Sequence, residues 1–99
     1  MSYMLSVDDA RGYFGAGSLE VEVYAALLES AGADAHRYVG SPRVLELLHR
    51  RGIHAKPWEV ERALSHLTLA GFLESRRMPS RAQSGYRVRG ATHHPQRDP

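Results

Sequence analysis

The stretch "HAKPWEVERALSHLTLAGFL", His54 to Leu73, decides how this chain folds, and it raises the question of what its helix faces. Val60, Ala63, Leu64, Leu67 and Gly71 recur at helical spacing, so one side of the segment is apolar and belongs in a core. Pro57 suits a first helical position, where its missing N–H leaves no bond unmade. Gly71 stops the helix, and "FLESRR", Phe72 to Arg77, reads as a strand. With Val60 at zero and steps of about 100° per residue, Trp58, Arg62, Ser65 and Leu69 fall on the opposite side. His66 lies nearby, and Glu59 and Glu61 fall on the flanks.

Upstream, "SPRVLELLHRRG", Ser41 to Gly52, carries a full set of helix signals. Ser41 is the expected N-cap and Pro42 the first helical residue. Val44, Leu47, Leu48 and Arg51 share one face. Arg50 and Arg51 sit where the helix dipole favours cations, and Gly52 ends the helix. Only the short turn "IHAK" separates this helix from the next. Downstream, "MPSRAQSG" reads as a loop and "YRVR" as a returning strand. Tyr86 and Val88 alternate there with Arg87 and Arg89, which predicts one buried and one basic face.

Two helices joined by a tight glycine-containing turn form a helix-turn-helix. "GIHAKPWEVERALSHLTLAGFLESRR", Gly52 to Arg77, and "SGYRVRG", Ser84 to Gly90, resemble the recognition helix and wing of the winged helix-turn-helix superfamily. The pattern is nearest to PadR-like and MarR-like transcriptional regulators and covers Ser41 to Gly90. The long C-terminal dimerisation helix of PadR-like proteins and the terminal helices of MarR-like ones are not found. The resemblance implies an α+β, mainly α fold: a three-helix core, a C-terminal two-stranded β wing and an extra N-terminal helix. It also implies a DNA ligand, although a fold does not fix a function.

At the N-terminal end, "SVDD", Ser6 to Asp9, matches a capping box and predicts a short helix through Tyr13. "GYFGAGS", Gly12 to Ser18, breaks it. No Lys-Ser or Lys-Thr follows those glycines, so a linker is expected and not a phosphate loop. "LEVEVYAALLESAG", Leu19 to Gly32, has two periods. Leu19, Val21 and Val23 alternate as in a strand, whereas Leu19, Val23, Ala26, Leu27 and Ser30 recur as in a helix. Its length, Ser18 as cap and Gly32 as stop favour the helix. "GADAHRYVG", Gly32 to Gly40, reads as a connection and "GATHHPQRDP" as a frayed tail. The expected division is an N-terminal arm over 1–17, a winged helix-turn-helix domain over 18–90 and a disordered tail over 91–99. A homodimer would use Tyr3 to Tyr13 and Leu19 to Ala31.

Ninety-nine residues make one domain with one small core. There is no cysteine, which excludes disulfides and thiolate metal sites and fits a reducing cytoplasm. No apolar run approaches the roughly 20 residues of a membrane span, and the acidic Asp8 and Asp9 do not suit a secretory signal. The net charge of +2 hides a polarity. Residues 1–40 carry two basic and six acidic side chains; residues 75–99 carry six arginines and one aspartate. A basic C-terminal quarter suggests a polyanion partner.

The expected DNA contacts are Lys56, Trp58, Arg62, Ser65 and His66 on the helix, with Arg76, Arg77, Arg81, Arg87 and Arg89 on the wing. Arg62 suits a guanine edge, Ser65 a base or phosphate, and Trp58 a thymine methyl. Lys56 and the amides at the helix start suit a phosphate. The wing arginines suit phosphates or the minor groove. His36, His49, His54, His66, His93 and His94 show no metal-ligand spacing, so no metal, cofactor or enzymatic activity is expected. Two functions fit. The first is a small sequence-specific transcriptional regulator on double-stranded DNA, with its helix in the major groove. The second is a protein-interaction module that docks through Trp58, Arg62 and Leu69.

Overall fold

The structure, a computed structural model, describes residues 5–31, 37–77 and 84–89. Ser6 starts the first helix as its sequence predicts. Its Oγ accepts from the Asp9 amide at 3.1 Å, and the Asp9 carboxylate accepts from the Ser6 amide at 2.7 Å. Helix α1 (Val7–Phe14) is followed by α2 (Leu19–Ala31), β1 (Val39–Gly40), α3 (Ser41–Arg50), α4 (Pro57–Leu69), β2 (Leu73–Arg77) and β3 (Ser84–Val88).

Helix α2 is the centre of the fold. It packs against α1, α3, α4 and β3, and Val21, Val23, Tyr24, Ala26 and Leu27 are all buried. A helix covered on several sides needs apolar residues all round. That is why its sequence carries a strand-like alternation as well as a helical one. It also bears on the expected dimer contact over Leu19 to Ala31, because most apolar side chains of α2 are already inside the monomer. Tyr24 closes the arm onto the core by donating its hydroxyl to the Leu5 carbonyl at 2.6 Å. Burial, with help from the charge of Asp9, pushes that phenol up to about 12.

Helix α1 joins the same core. Ala10 is fully buried, and Phe14 and Tyr24 set their rings 5.7 Å and 5.2 Å from that of Phe72. Each such aromatic pair adds about 0.5–1.5 kcal/mol beyond area burial.

Helices α3 and α4 end in the same way. At α3 the Ile53 amide donates to the Leu48 carbonyl and the Gly52 amide to that of His49. At α4 the Phe72 amide reaches Leu67 and the Gly71 amide reaches Thr68. Both glycines take positive φ, 82° and 88°, as this helix-ending turn requires. The turn drops Phe72 directly into the core, and β2 leaves from there. Val60, Ala63, Leu64 and Leu67 bury the predicted face of α4.

The start of α3 differs from expectation by one residue. Gly40, and not Ser41, is the N-cap, and it makes no side-chain cap bond. The reason is an element the sequence reading treats as connection. Val39 and Gly40 are extended because they pair with Tyr86 and Gly85, so the helix begins where that pairing ends. Ser41 Oγ turns instead to Glu61 Oε2, 3.4 Å away. The wing is therefore a three-stranded antiparallel sheet in the order β1-β3-β2, not a two-stranded ribbon. Its hairpin pairs Leu73 with Val88 and Glu74 with Arg87, and the Arg89 amide closes the base on the Phe72 carbonyl at 3.0 Å. The expected tail over 91–99 lies outside the described residues.

Candidate nucleic-acid interface

The outer face of α4 is where the wheel puts it. Trp58 is 58% exposed and Leu69 86%, and Arg62 and Ser65 are also exposed. The face is electrically mixed. Trp58 and Arg62 share a shallow depression with Glu20 and Glu59, and Glu61 is exposed beside them. At the helix start the Lys56 amide donates to Glu59 Oε1 at 2.8 Å, and Pro57 has no N–H to offer. The phosphate cradle expected at that end is thus met by the chain's own carboxylate, leaving Lys56 its exposed ammonium. His66, four residues beyond Arg62, is engaged by that same Glu20. Its Nδ1 lies 2.6 Å from Glu20 Oε2, which ties α4 to α2.

Basic residues divide by whether a carboxylate answers them. Arg11 pairs with Asp8, and Arg51 with Glu29 at 2.8 Å. Arg43 and Arg50 share Glu46, whose carboxyl the Arg43 hydrogen bond, and then the two charges, hold below the usual range. Arg87 donates from Nε to Glu74 Oε1 at 2.9 Å. Arg37, Lys56, Arg62, Arg76, Arg77 and Arg89 have no ion pair among the described residues. Four of those six belong to the wing or to the residue two before β1.

The wing arginines do not all share one face. Successive side chains on a strand alternate, so Arg76 lies on the same face as Glu74 and Arg87, and Arg77 on the other. The predicted basic face of β3 is accordingly half neutralised, with Glu74 beside Arg87. Arg89 Nη1 comes back over the helix end, 3.9 Å from where a Cβ on Gly71 would stand. Arg81 lies outside the described residues. The sequence reading missed Arg37 and Tyr38. Tyr38 takes the Arg87 guanidinium 4.3 Å from its ring centroid and that of Arg76 at 5.5 Å. The signal for both was their place just before Val39, legible only once Val39 is known to be a strand.

Among the described residues no group of three or more His, Asp or Glu side chains converges as a metal site, and no helix is long and apolar enough to cross a membrane. The sequence matches no protein-family profile and no curated protein. Solved structures do resemble it. The FurB zinc uptake regulator of M. tuberculosis superposes with a TM-score of 0.58 at 22% identity, over 80% of this chain and 60% of that one. The ferric uptake regulator of Francisella tularensis, solved with iron, gives 0.52 at 16% identity, over 74% of this chain and 54% of that one. The chain thus spans little more than half the length of these regulators. The likeness establishes the architecture, an α+β, mainly helical winged helix with a small antiparallel sheet.

Proposed function

We propose that the protein is a DNA-binding transcriptional regulator that lays α4 in the major groove and its arginine wing along the phosphate backbone. The observation that carries this reading is the sorting of its cations. Those without a carboxylate gather on the wing and its approach at Arg37 and along α4 from its cap Lys56 to Arg62, whereas those of α1, of α3 and of its cap Arg51 are each answered by a carboxylate. The winged-helix architecture, shared with two metal-uptake regulators, supports it. Arg62 and Ser65 read bases; Arg76, Arg77 and Arg89 hold phosphates. Arg81 joins them through its place on the same hairpin. Finer placement among PadR-like or MarR-like regulators rests only on the pattern from Ser41 to Gly90. Association of two copies belongs to the same reading, through α1, where Tyr13 is 67% exposed. The test is a salt titration of the purified chain on duplex DNA. Affinity is expected to fall steeply with salt, because each neutralised phosphate releases counterions. Binding that is absent at low salt, or flat with salt, ends the proposal.

One observation favours a second reading. Leu69 and Trp58 expose apolar surface on the same helix, as a protein-docking face would. In that case Trp58→Ala abolishes capture of a protein partner while duplex binding is missing from the wild type. Tight, sequence-selective DNA binding by the wild type decides against it.

A further inference from the structure

The register that pairs Val39 with Tyr86 places Tyr38, one step outward, across from Arg87, and Arg87 is itself paired with Glu74. Tyr38, Arg87 and Glu74 form one row over three strands. The row is tied twice: the Arg87 guanidinium lies on the tyrosine ring, and its Nε donates to Glu74. The next row on the same face, two residues along each strand, is Gly40, Gly85 and Arg76. Two glycines leave Arg76 without a side-chain neighbour in its own row. Its guanidinium is 5.5 Å from the centroid of the same tyrosine ring. A long arginine gives up rotamer freedom when it grips a phosphate, and one already ordered gives up less.

We infer that Tyr38 is a positioning residue for nucleic-acid binding: braced by the Arg87–Glu74 pair, its ring aims Arg76 at a phosphate of duplex DNA. The inference rests on the proposed function. Arg76 is suited to the role because no carboxylate among the described residues answers it, whereas the charge of Arg87 meets Glu74. The phenol hydroxyl takes no part, so phenylalanine should serve as well as tyrosine.

The experiment uses the full chain and a mixed-sequence duplex, with affinity followed against salt for the wild type, Tyr38→Phe, Tyr38→Leu, Arg76→Ala and the double variant Tyr38→Leu/Arg76→Ala. Tyr38→Phe is expected to bind like the wild type. Tyr38→Leu should bind about two- to fivefold more weakly, with the salt slope unchanged because the phosphate contact survives. Arg76→Ala should lower the slope by about 0.9, and in that background Tyr38→Leu should cost nothing more. Equal binding by Tyr38→Leu and wild type, or the same loss with and without Arg76, overturns the inference alone. A wild type that does not bind duplex overturns the proposed function, and the DNA role of Tyr38 with it. A measurement on the unliganded wild type stands apart from folding of the variants: the Arg76 side-chain protons should show ring-current shifts in the NMR spectrum, and unshifted protons overturn the inference.

Discussion

The imidazole of His66 sits 2.6 Å from the carboxylate of Glu20, 46 positions away in the chain, and joins the last turn of α4 to the first turn of α2. Glu20 is mostly covered, with its side chain 18% exposed. His66→Ala leaves that carboxylate without its partner, at a cost of about 1–3 kcal/mol. The expected result is a lower melting temperature and unchanged affinity of the folded variant for DNA. Weaker binding at an unchanged melting temperature would return His66 to the contact role its sequence position suggests.

Tyr24 gives the fold an alkaline limit. Its phenol is held neutral to about 12 in the folded chain, against 10.0 for an ordinary tyrosine. The unfolded chain ionises first, so the contribution is complete below pH 10 and disappears as pH rises through 12. In Tyr24→Phe this slope in denaturation free energy between those pH values should vanish. The variant should also lose about 1 kcal/mol at neutral pH with the bond to Leu5.

Gly71 holds φ at 88° between α4 and β2. Space is not the obstacle there, since only an arginine tip lies within contact distance of an added Cβ. The left-handed backbone is. Gly71→Ala is expected to destabilise by about 1–2 kcal/mol, read by chemical denaturation. A neutral result would mean that the turn relaxes to another conformation.

Charge changes on the two halves of the interface should act in opposite directions. On the proposed function, Arg77→Ala and Arg89→Ala each remove one phosphate contact and should each lower the salt slope by about 0.9. On the same reading Glu61→Gln removes an exposed charge that would repel the polyanion, so it should raise affinity, most visibly at low ionic strength. Titrations of the three variants on one duplex check this. A Glu61→Gln variant that binds more weakly would place the ligand elsewhere.

The helices were legible because their signals are local. The capping box at Ser6, the proline and glycine that bracket α4, and the apolar spacing from Val60 to Leu67 each lie within one element. The hairpin was legible from the alternation around Val88. Strand β1 was not, because two residues carry no periodicity and Val39 is extended only through its pairing with Tyr86. With β1 hidden, the sequence shows no role for Tyr38 and points to Ser41 for a cap that belongs to Gly40. The outer face of α4 was legible to the residue, apart from His66, whose partner comes from another helix. Which arginines meet a carboxylate was beyond the sequence in the same sense, since Glu29 reaches Arg51 from 22 positions away.

The order β1-β3-β2 puts β2 at a rim of the sheet, where one line of backbone amides and carbonyls faces no strand among the described residues. A bare rim invites another chain to add itself by backbone pairing, and charged side chains discourage that. Arg76 and Arg77 stand on that rim, so beside the phosphate role proposed for them their like charges keep molecules apart. Removing both together would strip the guard from the rim, and such a protein should clump on concentration while each single replacement stays dispersed.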